Sequence, residues 1–254
     1  MDYSPYEQMV VVLARDLGDW ERGHVGGVRA EIPWAACLLA QKMQAPNLQI
    51  MAPPGMQPQV SAIVHDVGDY RLTRRCEALR NFGDIFRDSE RGGLDWFFYS
   101  GLQIDKYGNF NLHFVGDWKK PTIRGPGLVF AAATTTGKHF YLYPIHHDKR
   151  VFVEKVDFIS GAGHLDGPKG RELAGITTEG PRLCVTPRCV FDFDPESKVM
   201  RVKSLHRGIT LDDVVGNMGF EPVIPGNLPT TEPPTSEELH LLRDEIDPHR
   251  ILRP

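Results

Sequence analysis

Long apolar runs are missing from this sequence. No stretch approaches the ~20 residues that a membrane-spanning helix requires, and Met1-Asp2-Tyr3-Ser4-Pro5 lacks the basic-then-apolar pattern of a secretory leader. There is no nucleotide-binding P-loop and no internal repeat. Cysteine is scarce: Cys37, Cys76, Cys184 and Cys189 are the only 4. Their wide spread predicts reduced thiols in a cytoplasm rather than a disulfide framework. Cys184 and Cys189 flank a turn at Pro187 and are expected to be cross-strand neighbours. No histidine lies near them at zinc-ligand spacing, so a structural thiol pair is expected and not a metal site. Net positive charge is absent too. With 29 basic and 33 acidic residues, a net charge of −4 gives no sign of nucleic-acid or membrane partners.

What is present suits an α/β protein. At 254 residues, 41% hydrophobic and 24% charged, the chain is long enough for one domain with a large core over 1–254. Ser4-Pro5-Tyr6-Glu7 reads as a capping box starting a helix to about Leu17, with Met9, Leu13 and Leu17 on one face. A second helix is expected from Pro33 to Gln44, then a strand through Leu48, Ile50 and Met51. Arg71, Arg74, Arg75 and Arg80 form a basic run, read by default as a solvated face, with a helix face or a partner-subunit contact as the alternatives. Ala131 to Thr136 reads as a helix start or a packed small-residue segment, and Tyr141 to Ile145 and Val151 to Ile159 as strands. Leu183–Val185, Val190–Phe193 and Val199–Leu205 form an antiparallel end to the sheet. Thr210-Leu211-Asp212-Asp213 caps a short helix. Residues 222–254 form an arm: a proline-rich connector, then a helix capped by Thr235 to Glu238 with Leu239, Leu242 and Ile246 on one face. His146-His147-Asp148 lacks a third metal ligand, and His164 and His206 are expected to be structural.

The stretch from Leu94 to Leu128 organises the rest. Leu94, Trp96, Phe97, Phe98 and Tyr99 read as a buried strand. It gives way to Gly101-Leu102-Gln103-Ile104-Asp105, then Tyr107-Gly108-Asn109 and Asn111. A strand that ends in glycine, amides and a carboxylate is how open α/β sheets build ligand crevices. Turn chemistry alone also accounts for these residue types. A second loop, Arg124-Gly125-Pro126-Gly127-Leu128, lets the backbone approach a ligand closely.

The run from Gly101 to Asn111 resembles a segment of family I CoA transferase β subunits, the glutaconate CoA-transferase type in particular. The resemblance extends through Lys149–Ile159, Gly163–Glu172 and Leu242–Pro248, and so covers nearly the whole chain. It implies a three-layer Rossmann-like CoA-transferase fold, with a mostly parallel sheet ending in antiparallel strands. It also implies an α-type partner subunit in an α2β2 or higher assembly, and coenzyme A as part of an acyl-CoA substrate with no permanently bound cofactor. In that light Gly125 and Gly127 would offer backbone N–H groups to an oxyanion. Gln103 and Asn109 would orient substrate or water. Leu128, where the family has a glycine, would keep its backbone donor toward substrate or CoA. Asp105, in the same substrate-binding segment, would pin its own loop through backbone N–H bonds rather than act as a base.

Two departures from the family pattern matter. Pro33 to Pro46 keeps the family's spacing without a gap, and the position of the attacking glutamate then falls on Pro53, which has no nucleophile. Before the second helix, where relatives carry glycines, this chain has Arg29 and Glu31. Arg29 is a candidate for a CoA phosphate or acyl carboxylate and Glu31 for a displaced carboxylate base; a solvated loop is the alternative for both. Three activities follow. The first is hydrolysis, since the steroid-ring-opening CoA hydrolase β subunit (IpdB type) also lacks that glutamate and uses an α-subunit carboxylate. The second is CoA transfer with a replacement carboxylate. The third is a non-catalytic scaffold that binds CoA esters.

Overall fold

A computed structural model describes residues 2–27, 29–52, 56–58, 60–65, 69, 72–73 and 76–252. Its packing divides the chain into two compact units, Met1–Phe98 with Pro233–Pro254, and Tyr99–Glu232.

In the first unit the expected capping box starts α1 (Pro5–Asp16), with Ser4 accepting from the Glu7 N–H. Met9, Val10 and Leu13 are fully buried, each worth about 2 kcal/mol by transfer out of water. β1 (Arg22–His24) leads to α2 (Glu31–Met43), which begins two residues ahead of Pro33. β2 (Gln49–Met51) follows, then β3 (Met56–Pro58) paired antiparallel with β4 (Cys76–Leu79). α3 (Phe82–Glu90), capped by Asn81, is a helix that the sequence reading missed. β5 (Trp96–Tyr99) and β2 both run parallel to β1. Gly23 in β1 is obligatory, because a Cβ there would stand 2.0 Å from the Trp96 ring. Pro53, Val67, Arg71, Arg74 and Arg75 lie outside the described residues; Arg80 pairs with Asp88 at 2.5 Å.

The last helix spans Ser236–His240, with the expected Thr235–Glu238 capping box, and continues as a π-helical turn over Leu241–Ile246. Leu239, Leu242 and Ile246 share its buried face, as expected. Two ion pairs tie it to α1. The Glu7 carboxylate, 1% exposed, accepts from Arg243 Nε at 2.7 Å, and Arg15 meets Glu238 at 2.8 Å. A carboxylate this buried is tolerated because cation and backbone satisfy it together.

In the second unit β6 (Gln103–Ile104) and β7 (Phe110–Asn111) form a short antiparallel ribbon. β8 (Phe114–Asp117) and β9 (Lys120–Arg124) form a hairpin. After α4 (Ala133–Thr136), β10 (His139–Leu142) lies parallel to β11 (Gly180–Val185), with α5 (Gly170–Leu173) between them in the chain. β12 (Cys189–Phe193) and β13 (Met200–Leu205) supply the antiparallel end, and α6 (Leu211–Val215) carries its expected cap at Thr210. The proline-rich connector runs alongside β13, donating from Val223 to Met200 and from Thr231 to Leu205. The parallel pairings are those of β1 with β2 and β5 and of β10 with β11, and β11–β12 and β12–β13 form the expected antiparallel end.

Two expectations are corrected. Residues 151–159 form no strand. Phe152 makes one isolated bridge to Ile104, and the apparent alternation belongs to an irregular segment whose polar members serve neighbours, Glu154 with Lys106 and Asp157 with Gln103. Cys184 stands opposite Phe191 and not Cys189; all four thiols are free.

Candidate active site

The chain reverses between β6 and β7 around Asp105. Its Oδ1 accepts the N–H of Tyr107 at 2.9 Å and of Asn109 at 3.1 Å, an Asx-type turn. Asn109, 2% exposed, donates to Asp105 Oδ2 and to the Leu165 carbonyl, both at 2.9 Å. Its Oδ1 accepts from Gly163 at 2.9 Å and Leu165 at 3.0 Å. Burial pushes the Asp105 carboxyl up to about 6, against the hydrogen bonds from Asn109 and Tyr107.

Arg171 fixes the loop that Asn109 holds. Its guanidinium donates to the carbonyls of Ala162, Gly163, Thr134 and Thr178 and to Thr178 Oγ1, at 2.6 to 3.1 Å. All these acceptors are neutral, and burial lowers Arg171 to about 10. A flexible ammonium could not span this set.

Gln103 sits one strand position before the turn. It accepts from Asn111 Nδ2 at 2.8 Å and from the Asp157 N–H at 3.1 Å, and donates to Asp157 Oδ2 at 3.0 Å. Gln103, Asp105 and Asn109 are all at least 95% buried, and their polar side-chain atoms are turned onto the protein itself.

The glycine loop follows β9. Gly125 donates to the His113 carbonyl at 2.8 Å and Gly127 to the Leu112 carbonyl at 2.9 Å, so both N–H groups close the loop onto the segment after β7. A Cβ on Gly125 would come within 2.1 Å of the Leu112 oxygen. Gly127 has φ +79°, and beyond its two chain neighbours it is the His113 ring that lies within 4 Å of its absent Cβ among the described residues. His113 Nδ1 meets Ser160 Oγ at 2.6 Å. Sequence reasoning missed His113, Ser160 and Arg171 as members of this region, because their partners are far away in the chain. Leu128 is half-buried beside the loop.

Arg29 and Glu31 belong to the other unit. Arg29 Nε lies 2.6 Å from Glu31 Oε1, and its guanidinium sits 5.2 Å from the centre of the Tyr6 ring. Arg29 holds φ +58°, a left-handed conformation that costs a non-glycine residue about 1 kcal/mol. Glu31 opens α2, where the helix dipole favours a carboxylate. His147 and His206 are held by hydrogen bonds within the protein. His147 contacts Thr186 Oγ1 and the Val214 carbonyl, and His206 contacts Thr231 Oγ1 and the Thr186 carbonyl. Burial pushes His147, His164 and His206 each down to about 4. Among the described residues no group of His, Cys, Asp and Glu could hold a metal ion.

Residues 58–217, more than half of the chain, match the Coenzyme A transferase family model. The chain belongs to the coenzyme A transferase family. It is 31% identical to one of the subunits of 3-oxoadipate CoA-transferase from Pseudomonas knackmussii, over 95% of this chain and 92% of that one. It is 32% identical to the cholesterol ring-cleaving hydrolase IpdB subunit of Mycobacterium tuberculosis, over 77% of both chains. Its structure aligns with glutaconate coenzyme A-transferase from Acidaminococcus fermentans at a TM-score of 0.90 and 26% identity, over 100% of this chain and 98% of that one. The mixed α/β fold is therefore the CoA-transferase fold. For a coenzyme A transferase chain, the glycine loop and the turn at Asp105 are the segments in which the family's sequence resemblance and the buried polar network coincide.

Proposed function

We infer that this chain is the β subunit of a heteromeric acyl-CoA hydrolase, cleaving a carbon–carbon bond of a cyclic keto acyl-CoA with a catalytic carboxylate supplied by an α-type subunit. One observation carries the reading. The family's spacing puts Pro53 where transferases carry the attacking glutamate, and proline offers no nucleophile for an acyl-enzyme anhydride. The similarity to the IpdB subunit supports the same choice. Gln103, Asp105, Asn109 and Arg171 then act as scaffold, holding the β6–β7 turn and the loop at Gly163–Leu165 in place. Cytoplasmic placement fits the four free thiols, and among the described residues no helix is long and apolar enough to cross a membrane.

The second reading is CoA transfer through a replacement carboxylate, for which Glu31 stands ready beside Arg29. The two differ in what they consume. The chain, purified with its α-type partner and given a cyclic keto acyl-CoA without any acceptor acid in water enriched in oxygen-18, should release a ring-opened product carrying one heavy oxygen. Turnover that appears only after a carboxylic acid acceptor is added would overturn the hydrolase reading.

A further inference from the structure

Ser160 is 8% exposed, and its Oγ accepts the Leu112 N–H at 2.8 Å. That contact leaves the hydroxyl proton for His113 Nδ1 at 2.6 Å. When Ser160 gives that proton to Nδ1, the imidazole's own proton sits on Nε2. Nε2 lies 3.5 Å from the position where Gly127 lacks a Cβ, and beyond the adjoining Pro126 and Leu128 only His113 ring atoms come within 4 Å of that point among the described residues. The Nε2 edge of one imidazole thus faces that space. The two glycine N–H groups of the loop are occupied by the carbonyls of His113 and Leu112, so they do not compete for whatever enters.

Apolar surface adjoins the donor. Phe158, 43% exposed, packs 4.9 Å from the His113 ring, and Phe114 lies 5.5 Å from Phe158. Trp118, 60% exposed, is 5.2 Å from Phe114 and lies under the Arg124 guanidinium at 4.8 Å. A partly exposed aromatic ledge beside a single directed donor suits a carbonyl group carried on a bulky, uncharged body.

We propose that His113, held in one tautomer by Ser160, donates its Nε2–H to the carbonyl oxygen of an acyl-CoA over Gly127, with Phe158 and Trp118 as the wall for a ring-bearing acyl group. This rests on the acyl-CoA reading above and adds a catalytic residue and its positioning residue to it. His113 donates a hydrogen bond and makes or breaks no covalent bond.

The test uses the complex of this chain with its α-type subunit and two inert probes read by calorimetry. One is a cyclohexylmethyl ketone analogue of a CoA thioester, which keeps the carbonyl; the other is the matching CoA thioether, which lacks it. The wild type should bind the ketone about tenfold more tightly than the thioether, the scale of one net hydrogen bond. His113→Phe, which keeps a ring and removes the donor, should erase that preference; His113→Gln, which restores an N–H, should recover part of it. Ser160→Ala should reduce the preference and Ser160→Thr should restore it, which loss of packing alone would not do. A wild type that binds both probes equally, or neither, overturns the proposal, as does a His113→Phe complex that keeps the preference. Because neither probe turns over, the result is independent of whether the enzyme proves to be hydrolase or transferase.

Discussion

Asn109 Nδ2 donates to Asp105 Oδ2 at 2.9 Å, and around that contact the two side chains make five hydrogen bonds to backbone groups. One buried amide thereby joins the turn between β6 and β7 to the loop at Gly163–Leu165. Asn109→Ala should leave the Gly163 and Leu165 amides and the Leu165 carbonyl without a side-chain partner. Each buried orphan costs about 1–3 kcal/mol, so a loss of at least about 3 kcal/mol is expected. Hydrogen exchange is the direct check. Protection at Gly163 and Leu165 should collapse while β12 and β13 keep theirs.

Arg171→Lys should be nearly as damaging as Arg171→Met. A lysine reaches at most three acceptors where the guanidinium meets five, and its ammonium is harder to desolvate. A loss of about 3 kcal/mol is expected, read as a fall in Tm of about 5–10 °C for a chain of this size. A lysine variant melting with the wild type would show that the clamp contributes little.

Acid should destabilise the fold well before the carboxylates titrate in bulk. Burial lowers His24, His147, His164 and His206 to about 4 and His139 to about 3, from an ordinary 6.5. Below pH 6.5 the unfolded chain takes up protons that the folded chain refuses, so stability falls as pH drops from 6.5 toward 4. Asp105, raised to about 6 from 3.8, works the other way: its contribution is fully present below pH 3.8 and is lost as pH rises through 6. Five histidines outweigh one aspartate. Between pH 6.5 and 5 each histidine is worth up to about 2 kcal/mol, and the stability measured by urea unfolding should fall across that window by several kcal/mol in total. A flat profile would contradict the burial of these rings.

Much of the local structure was legible because it is encoded within four residues. The capping boxes at Ser4–Glu7, Thr210–Asp213 and Thr235–Glu238 all form as their spacing implies. The turn role of Asp105 was legible for the same reason. What failed was pattern without context. Residues 151–159 alternate like a strand, yet among the described residues their one strand-type bridge is to Ile104. α3 escaped notice because its signal is one asparagine cap on a nine-residue, mostly polar helix. Ser160 lies 47 residues from His113, and Arg171 lies 37 from Thr134. No spacing rule connects such pairs; only the fold brings them together.

Glu31→Gln separates the two activities on this chain. If an α-type subunit supplies the catalytic carboxylate, the variant should keep turnover within about tenfold, the change coming from its contact with Arg29. If Glu31 were the nucleophile or base, its loss should cost on the order of 10³-fold or more, the scale for a group acting covalently. Steady-state kcat of the assembled complex decides.

The central claim is that this chain contributes no covalent nucleophile. The complex should be incubated with acyl-CoA, quenched with borohydride or hydroxylamine, and this chain's intact mass recorded. The account predicts an unchanged mass under turnover conditions; a reduced or hydroxamate-marked glutamate, or an acyl or CoA adduct on any of its side chains, would contradict it.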